Sequence, residues 1–270
     1  MKSLFIIGTK GMLGSCAYNF FKKKNKVYFT NQNVNKYNYN FLINKINKCN
    51  PDFVLNCIGR IKQKKYNIHD LYFINSFFPI ALAYKLNPKI ILINPSTDCV
   101  FSGKNKIGYN TTCKLDAFDD YGKSKIIAEQ SQYLRKNILI PRTSIIGFEK
   151  AKIKHSLLEW ALSKKKIKIN GYKNHFWNGI TTLEWCKIIY KIINKKVIIK
   201  NKVFQIGQKN KISKFYLLKK INHIYLNDKK IISPINTSYI NRYLKPDIFS
   251  TDIDKQLSNL KDFYDKKNYN

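Results

Sequence analysis

Gly8-Thr-Lys-Gly11-Met-Leu-Gly14 directly follows the apolar run Leu4-Phe5-Ile6-Ile7, and this junction limits the folds open to the chain more than any other stretch. A short apolar run ended by glycine reads as a buried strand. The glycines then allow a sharp turn and a close backbone approach. Met12 to Lys24 follow with helical spacing of their apolar residues. Strand, glycine turn and helix in that order make an anion cradle, because the first N–H groups of the helix point into the turn. The expected occupant is a pyrophosphate, held by Gly8, Lys10, Gly11, Met12, Leu13 and Gly14.

The alternation continues through the first half of the chain. Strands are expected at Ser3–Ile7, Val27–Thr30, Phe53–Asn56, Ile90–Ile93 and Ile138–Pro141, with helices near Met12–Lys24, Phe41–Cys49, Leu71–Leu86 and Tyr121–Arg135. Short strands alternating with helices imply right-handed βαβ crossovers, and so an α/β fold with a doubly wound parallel sheet of the NAD(P)-binding Rossmann type. Residues 1–145 form the cofactor half in this reading. Residues 146–270 form a smaller α/β substrate lobe, interleaved through a strand near 202–207 that returns to the main sheet. In that lobe helices are expected at His155–Lys164, Thr181–Ile193 and, shorter, near Ile253–Tyr264. Gly171 to Gly179 reads as a loop.

The ligand crevice of such a sheet lies at the carboxyl ends of its strands, and chemistry-bearing residues fall there. Asn56-Cys57-Ile58-Gly59 ends the third strand and Ser96-Thr97-Asp98 follows the fourth. Cys57, Ile58 and Gly59 should pass beneath the cofactor. Asn75, polar within an apolar helix, either meets the cofactor or tethers a neighbouring backbone. Tyr121-Gly-Lys-Ser-Lys125 places a phenol and an ammonium one helical turn apart on one face. Lys125 can hold a ribose and shift the phenol, ordinarily near pKa 10, toward neutrality, where acid–base catalysis works best. Thr97 is placed to share the substrate oxygen. The chemistry implied is hydride transfer between a nicotinamide and a carbonyl or alcohol, with Tyr121 and Lys125 touching the cofactor as well. An acid at the end of the second strand would select NADH. The stretch Tyr28 to Asn33 has none, Asn31 stands in its place and Lys10 lies in the turn. NADPH is therefore favoured, with NADH as the alternative.

Composition excludes several other classes. Net charge is +34, from 50 Lys and Arg against 16 Asp and Glu, which raises nucleic acid as a partner. The lysines, however, are spread along the whole chain together with Asn, Ile, Phe and Tyr, as an AT-biased genome produces. No specific nucleic-acid partner is expected. The densest runs, at Lys22–Lys24, Lys62–Lys65 and Lys164–Lys166, fall at helix ends or loops. Six cysteines show no Cys-x-x-Cys pair, so reduced thiols in a cytoplasmic protein are expected and no metal site. No apolar run approaches membrane-spanning length.

The chain resembles the extended short-chain dehydrogenase/reductases, and within them the dTDP-4-dehydrorhamnose reductase family. The resemblance rests on Gly8–Gly14, Pro51-Asp-Phe-Val-Leu-Asn-Cys57, Asn75-Ser76, Ser96-Thr-Asp-Cys-Val-Phe-Ser-Gly103, Tyr121–Lys125 with Glu129, Arg142-Thr-Ser144 and Gly179-Ile-Thr-Thr182. It implies an NADPH-dependent reductase of the 4-keto group of a nucleotide-activated 6-deoxyhexose, serving surface polysaccharide synthesis. Thr97, Tyr121 and Lys125 take the catalytic roles. A nucleotide-diphosphate sugar would be met by Thr97, Asp98, Arg142, Phe176 and Trp177, with Lys154, His155 and Asn178 nearby. Related 4,6-dehydratases resemble Thr-Asp-Glu where this chain has Thr97-Asp98-Cys99, and the missing glutamate favours reduction over dehydration. The usual aromatic there is also absent. The family's acidic metal ligands find no match, and a homodimer is left open. The alternative within the family is a cofactor-holding regulatory subunit without turnover, resembling the one that modulates methionine adenosyltransferase.

Overall fold

A computed structural model describes residues 1–61, 67–150, 154–164 and 167–265. The lysine run at 62–65 and residues 165–166 of a second run lie outside them. The first half runs β1 (Ser3–Ile7), α1 (Met12–Phe21), β2 (Lys26–Thr30), α2 (Tyr39–Cys49) and β3 (Phe53–Asn56). One helical run follows, made of α3 (Ile68–Tyr72), a π turn (Phe73–Phe77) and α4 (Phe78–Lys85). Then come β4 (Ile91–Ile93), α5 (Asp120–Glu129), α6 (Ser131–Leu134) and β5 (Ile138–Arg142). The second half holds β6 (Ile145–Ile146), α7 (Leu157–Leu162), β7 (Lys168–Tyr172), β8 (His175–Trp177), β9 (Ile180–Thr181) and α8 (Thr182–Ile193). It ends with β10 (Val203–Gly207), β11 (Ile212–Ser213), α9 (Lys214–Leu226), β12 (Ile231–Ile235), β13 (Ile240–Asn241), β14 (Ile248–Phe249) and α10 (Ile253–Asp265).

The doubly wound sheet is present. Its order is β14-β10-β5-β4-β3-β1-β2, and every pairing in it is parallel. Side chains alternate between its faces. Leu4, Ile6, Phe53 and Leu55 pack with α1 and α8 on one side. Phe5, Ile7, Val54 and Leu92 pack with α2 and α4 on the other. Both faces are covered, which is why the strands read as continuous apolar runs rather than alternating ones.

The stretch from Gly171 to Gly179 is a correction to its reading as a loop. β7 pairs with β12 across some sixty residues of chain, and β8 pairs with β11 and β13. Ile169 is buried from β7 and Trp177 from β8. Short strands of this kind are stabilised by non-local partners, which leave little trace in their own composition. Among the described residues no helix is long and apolar enough to cross a membrane.

Candidate active site

The glycine turn forms as its spacing requires. Gly11 N–H donates to the Gly8 carbonyl at 2.9 Å, and Ser15 N–H to the Gly11 carbonyl at 2.9 Å. A Cβ on Gly14 would lie 2.1 Å from the Gly8 oxygen, so α1 and the turn touch backbone to backbone. Gly8, Lys10, Gly11, Asn31, Cys57, Ile58 and Gly59 all line one pocket at this end of the sheet. Met12 and Leu13 contribute backbone at the helix start, and the Leu13 side chain belongs to the core. Burial pushes the Cys57 thiol up, which keeps it protonated and unreactive. Gly14→Ala is expected to abolish dinucleotide binding and to destabilise the fold by about 1–3 kcal/mol through overpacking. Fluorescence titration with NADPH and thermal melting check both effects.

Asn75 turns out to be the tether rather than a group facing the cofactor. Its Oδ1 accepts from Arg60 N–H at 2.8 Å, and its Nδ2 donates to the Arg60 carbonyl at 3.0 Å and to Ser124 Oγ at 3.1 Å. Ser76 Oγ donates to the Ser124 carbonyl at 2.8 Å. The π turn is what aims both side chains at α5, since its extra residue re-registers the helix face. The pocket rim and the helix carrying Tyr121 are thereby one hydrogen-bonded unit.

Two segments meet where the sequence places the candidate catalytic residues. Thr97 begins a single 3₁₀ turn over Asp98–Val100 and its Oγ1 accepts from Cys99 N–H at 3.1 Å. Asp119 caps α5, accepting from Gly122 N–H at 2.7 Å. A Cβ on Gly122 would sit 2.3 Å from the Cys99 carbonyl oxygen. Only glycine lets α5 press against that turn, and this contact brings Tyr121 to Thr97. The Tyr121 hydroxyl stands beside that of Thr97, and Thr97 Oγ1 donates to Asp98 Oδ1 at 3.0 Å.

The electrostatics differ from the expectation in one respect. Burial pushes the Tyr121 phenol above its ordinary value, and the Cys99 thiol beside it adds to the rise, whereas the Thr97 hydrogen bond opposes it. The phenol is held protonated rather than drawn toward neutrality. Lys125 instead turns its Nζ to the Pro95 carbonyl at 2.6 Å. Burial lowers its pKa to about 8, with Glu129 acting in the opposite sense.

Arg142 and Trp177 are corrections to the substrate list. Arg142 donates from Nε and Nη2 to the two oxygens of Glu129, at 2.9 and 2.7 Å, and from Nη1 to the Thr111 carbonyl at 3.1 Å. Ser96 Oγ donates to the same carboxylate at 2.6 Å. With side chains 5% and 1% exposed, the pair is a structural ion pair behind Lys125. Trp177 is buried in the main core. Phe176 is half-buried beneath Lys211, whose Nζ lies 4.7 Å from its ring centre, and Tyr239 stands alongside. That keeps Phe176 as an aromatic platform. Lys154 pairs with Glu159, the His155 N–H is held by Glu149 and Asn178 ties Gln208 to Leu244.

Arg60, Asp119 and Arg242 were not singled out from the sequence. Asp119 carried a signal, being a capping residue directly before a helix. Arg242 reaches the site from the strand β13 side, its stem against Gly103 and its guanidinium on the Cys99 sulfur. The rarity of arginine in so lysine-rich a chain was the available hint for both arginines.

The model of the family described as RmlD substrate binding domain matches residues 1–251. No curated protein matches the chain. Among solved structures, it resembles the dTDP-4-dehydrorhamnose reductase of Bacillus anthracis in complex with NADP, at 19% identity over 97% of this chain and 99% of that one, TM-score 0.83. The dTDP-4-dehydrorhamnose reductase of Clostridium acetobutylicum matches at 20% identity, 97% and 99% coverage and TM-score 0.80. The dTDP-glucose 4,6-dehydratase of Bacillus anthracis in complex with NAD matches at 16% identity, 100% and 98% coverage and TM-score 0.76. At these identities the likeness is one of fold.

Proposed function

The chain belongs to the RmlD substrate binding domain family, and from that premise we propose that it is an NADPH-dependent reductase of the 4-keto group of a nucleotide-activated 6-deoxyhexose. The carrying observation is the Tyr121 phenol brought beside the Thr97 hydroxyl by the close contact of Gly122 with the Cys99 carbonyl, with Lys125 one turn along the same helix. The glycine turn, closed against α1 by the backbone contact of Gly14 with Gly8 and opening on the pocket that Gly8, Lys10 and Gly11 line, fits a dinucleotide diphosphate. Bound NADPH supplies the hydride that reduces the carbonyl carbon to a secondary alcohol. Tyr121 gives its proton to the ketone oxygen, and its raised pKa keeps that proton in place at neutral pH. Thr97 Oγ1, turning its proton from Asp98, donates to the same oxygen. Lys125 holds the ribose, and its charge offsets the negative charge growing on the phenol oxygen.

Residues 1–145 with the strand 203–207 provide the cofactor half in this reading, and the rest provides the sugar-nucleotide lobe with Phe176 under the base. The product would feed surface polysaccharide synthesis. The free state of all six cysteines supports a reducing, cytoplasmic setting.

Loss of the Lys125 charge sets the pH dependence. The ammonium is present below its pKa of about 8 and lost above it, so kcat/KM is expected to fall about tenfold per pH unit on the alkaline side. A pH–rate profile checks this. The function itself is tested by following NADPH absorbance with dTDP-, UDP- and GDP-linked 4-keto-6-deoxyhexoses in turn. Oxidation with one of them supports the reductase. Tight NADPH binding with no turnover of any would support the regulatory subunit instead.

A further inference from the structure

We propose that Arg242 is a positioning residue for proton donation by Tyr121. Its guanidinium, brought in from the end of β13, offsets the negative groups that crowd the phenol and so eases the charge that Tyr121 takes on. This rests on the reductase reading above and extends it to a residue that acts through its neighbours.

The backbone around Arg242 is fixed on both sides. Asn241 N–H donates to the Gly103 carbonyl at 2.7 Å, and Arg242 N–H to the Phe176 carbonyl at 3.1 Å. The buried Asn241 side chain donates to the Asn105 and Lys106 carbonyls at 2.8 and 2.9 Å. A Cβ built on Gly103 would lie 3.4 Å from Arg242 Cγ, so the stem runs along the segment that begins at Thr97. The guanidinium then rests on the Cys99 sulfur. Arg242 is half-buried, and salt screens such a charge less than that of a surface lysine.

Its surroundings are acidic. Burial works against the Arg242 charge, and Cys99, Asp98 and Asp119 more than make up for it. Beyond burial, the same three groups oppose a phenolate at Tyr121. Two of them serve the local geometry: Asp98 accepts from Thr97 Oγ1, and Asp119 caps α5 through Gly122 N–H. Both also resist the step proposed for Tyr121, which leaves negative charge on the phenol oxygen as its proton goes to the ketone. Lys125 offsets that charge from one turn along α5, with its Nζ on the Pro95 carbonyl. Asp120 is engaged by the Tyr72 hydroxyl at 3.2 Å, and the Tyr109 hydroxyl by Gly103 N–H and Asn105 N–H at 2.9 and 3.0 Å. Arg242 is the cation that the fold brings to the side where Cys99, Asp98 and Asp119 stand.

The test is kcat for keto-sugar reduction, with NADPH affinity and thermal melting measured on each variant. Arg242→Met, uncharged and able to fill the same channel, should lower kcat by about tenfold, the scale of losing one opposite charge beside a titrating group. KM and NADPH affinity should stay within about twofold, because the charge on Tyr121 grows in the transition state. Arg242→Lys, which keeps the charge, should retain most of the activity. Asn caps a helix as well as Asp does, so Asp119→Asn removes an opposing charge and spares the cap. Added to Arg242→Met, it should restore kcat by at least about threefold, a rescue that a packing role for Arg242 would not show. If Arg242→Met fails to fold, Asp119→Asn alone decides: kcat should rise, and an unchanged or lower value would overturn the proposal. Full kcat in Arg242→Met, or a loss shared by Arg242→Lys and unrelieved by Asp119→Asn, would overturn the role of Arg242 and leave the reductase standing. No turnover of any keto-sugar by the wild-type chain would overturn both.

Discussion

Tyr121→Phe is expected to lower keto-sugar reduction by about 10²–10⁴-fold, the range for removing a positioned general acid, while NADPH binds as before. The reasoning is local. The variant keeps the ring between Thr97 and α5 and removes only the hydroxyl that stands beside Thr97. Without it, the oxygen that receives negative charge has Thr97 as its remaining hydroxyl. Because that threonine already donates to Asp98, it is a poor replacement as a proton source. The loss should fall on kcat, since the phenol acts most strongly in the transition state. Single-turnover kinetics with cofactor affinity measured alongside separates these terms. A variant retaining more than about a tenth of wild-type kcat would remove Tyr121 as the donor.

Glu129→Ala should be the most destabilising single change near the site, at about 3–5 kcal/mol. It strips the carboxylate from a guanidinium that is 5% exposed and leaves the Ser96 hydroxyl without its acceptor. In a chain of this size that corresponds to a drop in Tm on the order of 10 °C. Replacing both partners, as in Glu129→Leu with Arg142→Leu, is expected to be milder than Glu129→Leu alone, because no buried charge is then uncompensated. A double-mutant cycle by urea denaturation measures the coupling, and a single variant within about 1 kcal/mol of wild type would contradict it. There is a functional consequence as well. Glu129 is the group that raises the Lys125 pKa, so its removal moves the alkaline fall in activity to lower pH.

The parallel half of the fold was legible because its signals are local. Leu4–Ile7 and Phe53–Asn56 are apolar runs closed by turns, and each needs nothing beyond its own residues to declare a buried strand. The segments that carry Thr97 and Tyr121 were legible for the same reason, since both residues stand at the ends of such elements. What escaped depends on distant partners. Lys168–Tyr172 does alternate, with Ile169 and Gly171 inward, but a glycine in a buried slot reads as a turn until its contact with Phe215 is seen. Helix α9, Lys214–Leu226, was missed although Ser213 caps it and Leu217, Leu218 and Ile221 are buried, because lysines interrupt its apolar face. Leu71–Leu86 reads as one helix, and the π turn within it, whose Asn75 and Ser76 meet Ser124 of α5, leaves no mark in the apolar spacing. Arg142 stands at a strand end where a ligand anchor is plausible, and its partner Glu129, thirteen residues earlier, meets it only once α5 packs against the sheet.

The central claim is that hydride passes to a sugar ketone held beside Tyr121 and Thr97. It is tested most directly with NADPH deuterated at the nicotinamide C4 and a dTDP-linked 4-keto-6-deoxyhexose, reading the product by mass spectrometry and NMR. One deuterium on carbon 4 of the sugar, formed by the wild-type chain and suppressed in Tyr121→Phe, is the predicted result. Oxidation of the cofactor with no label on the sugar, or equal labelling by the Tyr121 variant, would contradict it.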